Sequence, residues 1–264
     1  MPTRRQILAL GTGVAAMLSL RALARAATDT TVYLPFVQGP QPTPATPSPE
    51  PATPSPAPTA GPQPTSTPAD VGWIIAPASG QADQAITWFA TRSVGYTPYD
   101  VAVIVRAYQS LGDSVGVDWF LALAQCAHET GSLTSWWAQR PRRNPAGLGV
   151  NGVMKDGDGT PATQPGIDWA WNDSLMKWCA GMSFDSWETG SIPGHLGRLL
   201  AYALPEGSGT PAQQELITSA LSRRQLPVGY RGVAPTIIGF NGTWAYPGTN
   251  YGQSILDLAR RMRG

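Results

Sequence analysis

The chain has 264 residues, among them 26 prolines, 29 glycines and ten tryptophans, with a formal charge of +1. Four arginines (Arg4, Arg5, Arg21, Arg25) lie near its start, and without them 14 basic residues face 17 acidic ones. That balance lacks the basic surface from which nucleic-acid binding draws its counterion release, which excludes nucleic acid as a partner. With two histidines and two cysteines in the whole chain, neither a metal site nor a cofactor is expected.

Residues 1–27 read as an export leader. Thr3-Arg4-Arg5-Gln6-Ile7-Leu8 is similar to a twin-arginine signal, Ile7 to Leu20 is weakly apolar, and Ala24-Arg25-Ala26 fits a small-x-small cleavage site. The apolar stretch is too short and too rich in Gly and Ala to span a bilayer comfortably. No stable membrane insertion is expected after processing, and the mature protein is expected outside the cell, in the wall or at the surface. Residues 28–70 read as a disordered linker. Pro-Ala-Thr-Pro-Ser-Pro occurs at Pro44–Pro49 and again at Pro51–Pro56. Proline at every second or third position removes backbone donors and favours an extended polyproline chain that buries no core. Val32 to Val37 is a strand-like apolar run with no assigned role.

The remaining segment, 71–264, is roughly 190 residues long, enough for one domain with a core of its own. Apolar residues at Val101, Ile104, Val105 and Tyr108 predict a helix over Pro98–Leu111. A second helix is predicted over Val117–Thr130, with Gly131 placed to end it in a left-handed turn. Residues 140–183 form a loop-rich insert with poor helical periodicity. Thr210-Pro211-Ala212-Gln213 is a capping box with proline at the first helical position, opening a helix to Arg224. The last helix is predicted over about Asn250–Met262. The expected fold class is mainly α (α+β): an α-lobe and a small irregular β-lobe with a cleft between them.

Glu129, in Gln125-Cys126-Ala127-His128-Glu129-Thr130-Gly131, is the sharpest chemical feature. Partial burial and the negative end of the helix dipole both favour its protonated form. A carboxyl kept protonated near neutral pH donates a proton to a glycosidic oxygen. An ordinary solvent-facing glutamate at a helix end is the equally weighted alternative. His128-Glu129 does not begin a zinc-protease helix, because Ser132 stands where the second histidine would be needed.

Ala124 to Gly131 resembles the motif around the catalytic glutamate in the β-N-acetylglucosaminidase branch (flagellar-hydrolase and autolysin type) of the lysozyme-like hydrolases. Asn144-Pro145-Ala146-Gly147-Leu148-Gly149 resembles the turn that follows it in these enzymes. Phe184 to Glu188 followed by His195-Leu196, and Tyr246 to Tyr251, are similar to their later helix entries. The resemblance covers about residues 90–264. It implies a lysozyme-like fold and hydrolysis of the β-1,4 bond after N-acetylglucosamine, so that peptidoglycan or a related glycan is the expected partner. It also implies Glu129 as general acid and Tyr251 as a neighbour of the reacting sugar.

Asn144, Trp136, Trp137 and Trp244 are further substrate-binding candidates, with Arg140, Arg142 and Arg143 facing either stem-peptide carboxylates or solvent. The family often supplies a second carboxylate, a glutamate, from its β-lobe, whereas the insert here holds only Asp156, Asp158, Asp168 and Asp173. Glu188 fits a helix cap better than a base. The base therefore stays unassigned between an aspartate, the substrate's own acetamido group, and a single-acid route as in lytic transglycosylases. An amide-cleaving wall hydrolase and a non-catalytic wall-binding module are the remaining alternatives. Cys126 and Cys179 read either as a disulfide, worth about 4 kcal/mol in the chain-entropy view, or as two buried free thiols.

Overall fold

The computed structural model describes residues 71–264, so the expected leader and linker lie outside the described residues. Six helices and one three-stranded sheet make the fold mainly helical. They are α1 (Ala82–Ala90), α2 (Pro98–Val115), α3 (Trp119–Thr130), β1 (Met154–Asp156), β2 (Trp169–Asn172), β3 (Lys177–Ala180), α4 (Ile192–Ala203), α5 (Pro211–Arg223) and α6 (Tyr251–Arg263).

α3 is the central element. It packs against α1, α2, α4 and α6, and every residue from Trp119 to Ala127 is buried. A helix that is apolar on nearly every side has no solvent face and must be surrounded. Asp118 starts it: one carboxylate oxygen accepts from the amides of Phe120, Leu121 and Ser79, each at 3.1 Å. This satisfies two of the amide donors left open at the helix start. Gly131 ends it at φ 58°, and its amide donates to the Ala127 carbonyl. Strand-like residues 73–75 run beside α3, with Ile74 donating to the Pro235 carbonyl and accepting from the Asp118 amide.

α2 is longer than the apolar stripe predicts, running on to Val115 before Gly116 closes it in a left-handed turn. Gly112 sits inside this helix because Trp119 packs directly on it; a Cβ there would lie 2.5 Å from Trp119 Cβ. The capping box of α5 forms as predicted, with Gln213 N donating to Thr210 Oγ1 and Thr210 N to Gln213 Oε1.

The loop-rich insert contains the sheet, antiparallel in the order β1-β3-β2, with Met154 opposite Cys179 and Trp171 opposite Trp178. Its strands are three or four residues long, too short for a periodicity of two to show. Beyond the sheet the chain returns to the 142–148 turn, where Met182 N donates to the Leu148 carbonyl and Phe184 N to the Arg142 carbonyl. A π-type turn, Trp187–Ser191, then leads into α4.

Candidate active site

Glu129 is the penultimate residue of α3 and is half-buried. One carboxyl oxygen, Oε1, accepts both the Tyr251 hydroxyl and the Trp244 indole N–H, the latter at 3.2 Å. Tyr251 is the first residue of α6, and Trp244 precedes that helix in a turn built on Phe240. The two donors converge because α6 packs on α3, while Gly252 lets the start of α6 close on the backbone of Ile237 and Ile238.

Burial pushes the Glu129 pKa up to about 7, against the lowering effect of the Tyr251 and Trp244 hydrogen bonds. Among the described residues no donor reaches Oε2. Since Oε1 already accepts two hydrogen bonds, the acid's own proton belongs on Oε2.

Behind Tyr251 lies a buried polar chain. Gln125 Nε2 donates to the Tyr251 oxygen at 2.9 Å, and Gln125 Oε1 lies 3.0 Å from His195 Nε2. An amide oxygen only accepts, so Nε2 of His195 carries the hydrogen and Nδ1 accepts from the Tyr108 hydroxyl at 2.8 Å. Burial pushes the His195 pKa down to about 3, so the ring is neutral, as this tautomer requires. Donation runs in one direction from Tyr108 through His195, Gln125 and Tyr251 to Glu129. Every link ahead of the carboxyl is neutral.

Glu129, Tyr251 and Trp244 are thus brought together, with Tyr251 and Trp244 buried, and Trp244 also lining a cavity of about 310 Å³. Asn144 is not free to bind a sugar. It is fully buried, its amide nitrogen donates to the carbonyls of Leu148 and Met182, and its oxygen accepts from Ala146 N and Leu148 N. It holds the 144–149 turn against the strand exit. Trp136 lies under the Arg142 guanidinium, 3.7 Å from the ring centroid, and edges onto Trp137. Trp137 in turn closes on Gly181, where a Cβ would come within 2.7 Å of its ring. These two tryptophans pack the join between turn and sheet, and neither lines the cavity beside Trp244.

The three arginines of the insert are equally committed. Arg140 pairs with Asp100 at 2.7 Å and stacks on Tyr96, Arg142 covers Trp136, and Arg143 donates to the carbonyls of Pro141 and Phe184. Asp156 pairs with Lys177 and Asp168 with Arg223, Asp173 accepts from Trp171, and Asp158 accepts from Thr160 in a turn. Glu188 caps its turn with Ser186. None of these carboxylates bonds to Glu129 or to its two donors.

The disulfide does not form: Cys126 and Cys179 are both free and buried. Cys126 points from α3 toward Tyr108 and Thr130, while Cys179 sits in the sheet on β3. Comparison with protein-family models, with curated proteins and with solved structures returned no match for this chain.

Three members of the polar chain escaped the sequence reading. Tyr108 fits the apolar stripe of α2, and His195 reads as an ordinary hydrogen-bonded histidine. Gln125 carried the one usable signal, a polar residue inside an apolar run and one helical turn before Glu129.

Proposed function

We propose that this chain is an exported, lysozyme-like peptidoglycan hydrolase of the N-acetylglucosaminidase type, with Glu129 as its general acid. The observation that carries the reading is a half-buried carboxyl whose Oε1 is held by Tyr251 and Trp244, leaving Oε2 to carry the proton. In this reading the Oε2 proton passes to the glycosidic oxygen as the bond from the sugar C1 to that oxygen breaks. A water molecule then bonds to C1 through its oxygen, and the proton it loses returns to the Glu129 carboxylate. Tyr251 and Trp244 stabilise that carboxylate during the interval, since both donate to it.

A second reading has specific support. Each aspartate of the insert is engaged elsewhere, which favours a single-acid route in which the nucleophile belongs to the substrate. A lytic transglycosylase, leaving anhydro-sugar ends, is the enzyme class that works in this way.

Digestion of purified peptidoglycan followed by mass spectrometry of the fragments tests both readings. The wild type is expected to release glycan fragments with reducing N-acetylglucosamine ends, and Glu129→Gln to lose at least about 100-fold in rate. Anhydro ends would select the transglycosylase reading, and undiminished cleavage by Glu129→Gln would remove Glu129 from the mechanism. Cleaved amide bonds with intact glycan would exclude both.

A further inference from the structure

The cavity that Trp244 lines also holds two guanidiniums, Arg198 from α4 and Arg224 at the end of α5. The Gly147–Val150 turn, Tyr202 and Leu226 complete much of its wall, and among the described residues no acidic side chain lines it. Both arginines are half-buried. The ion pairs among the described residues all involve other side chains, so neither guanidinium has a carboxylate within 4 Å. Arg198 is fixed by donating to the Arg224 carbonyl at 3.0 Å and lies 6.0 Å from the Tyr202 ring centroid. The Arg224 side chain makes no hydrogen bond to another described residue.

Two like charges drawn out of water with no counter-charge are costly to hold. Burial lowers the pKa of both, and for Arg198 the Arg224 charge adds to the effect. The arrangement makes physical sense when an anion completes it. A guanidinium offers its donors in a planar fork that matches a carboxylate. The cavity, about 310 Å³, is at the lower end of the range for small-ligand sites, on the order of 300–1,000 Å³.

We propose that Arg198 and Arg224 form a carboxylate-binding subsite in the cavity bordered by Trp244, whose indole donates to Glu129, so that the glycan bound there carries a carboxylate on, or next to, its sugar ring. This rests on the glycan-hydrolase reading for its biological meaning, and its test is separable from that reading. Binding is measured by titration calorimetry on the full chain carrying Glu129→Gln, which prevents turnover. Three probes are used. N-acetylglucosamine is neutral, N-acetylmuramic acid adds a lactyl carboxylate to the same ring, and muramyl dipeptide blocks that carboxylate as an amide and carries one on its peptide instead.

N-acetylmuramic acid is expected to bind at least about tenfold more tightly than N-acetylglucosamine at low salt. Addition of Arg224→Gln should abolish the difference, while keeping the main-chain carbonyl that anchors Arg198. An advantage retained by muramyl dipeptide assigns the carboxylate to the peptide, and one confined to N-acetylmuramic acid assigns it to the sugar. Equal affinities for all three probes, no measurable binding of either charged probe, or an advantage that survives Arg224→Gln overturns the subsite. Loss of the subsite with Glu129-dependent glycan cleavage intact leaves the proposed function standing. Arginine-dependent binding in a protein that cuts no glycan removes the function and keeps the subsite.

Discussion

At Glu129 the same burial that suits a proton donor works against folding. The carboxyl titrates near 4.5 when unfolded and at about 7 in the folded chain. Between these values the folded state holds a proton that the unfolded state has released. Its contribution to stability is therefore fully present below about pH 4.5 and declines as pH rises through about 7. A span of about 2.5 pH units, at about 1.4 kcal/mol each, sets the loss at roughly 3–4 kcal/mol. Glu129→Gln is expected to flatten this slope and to be the more stable protein at pH 8, as judged by urea unfolding at pH 4 and pH 8. An equal pH slope in both proteins would show that the carboxyl is not perturbed. Tyr251→Phe removes a donor that favours the charged form, so the basic limb of a pH–rate profile should move upward. It also strips Gln125 Nε2 of its buried acceptor, at a cost of about 1–3 kcal/mol. The shielded glutamate was legible in the sequence because a glutamate ending an apolar helix is a local pattern. Its support was legible only in Gln125, one turn earlier on α3; His195 and Tyr108 lie on two other helices, and nothing local in their surroundings links them to position 129.

Elements followed their local chemistry where caps and stripes agreed. α3 stops at Gly131 and α5 opens on Thr210-Pro211-Ala212-Gln213, both as the residues dictate. Where packing decides, the sequence reading fell short. α1 takes Gln81, outside the usual set of capping residues, as its N-cap and is only nine residues long. α4 carries Pro193, Gly194 and Gly197, which look like breakers along the chain. Its helix persists because Gly197 lets the backbone of α5 approach; a Cβ there would lie 2.8 Å from the Leu216 carbonyl carbon. The entry of α6 depends on a similar approach. A Cβ on Gly252 would lie 2.6 Å from Ile238 Cα, so Gly252→Ala must push the helix outward. A loss of about 1–3 kcal/mol is expected, with a fall in activity because Tyr251 moves with the helix. Wild-type stability in urea unfolding would refute that account of α6.

On the scale of the whole molecule, one apolar cluster joins all six helices, from Ile74 to Met262. A protein cut to residues 71–264 is expected to unfold in a single cooperative transition, and a broad or multiphasic thermal melt would contradict this. The insert carries the sheet as an appendage to this core: β1 is wholly exposed, while β2 and β3 bury only alternate or terminal positions. The mainly helical class with a small β portion was readable from helix stripes and from the irregular insert between them. The exit of the insert was not, since it is set by Asn144 gripping Leu148 and Met182 across 38 residues of sequence.

The two thiols have a consequence for where this domain can acquire its shape. With no covalent cross-link between Cys126 and Cys179, native packing does not wait for an oxidising compartment, and the polypeptide can mature fully in a reducing cytosol. Its melting temperature should be the same with and without dithiothreitol, and thiol titration of the denatured protein should count two sulfhydryls per chain.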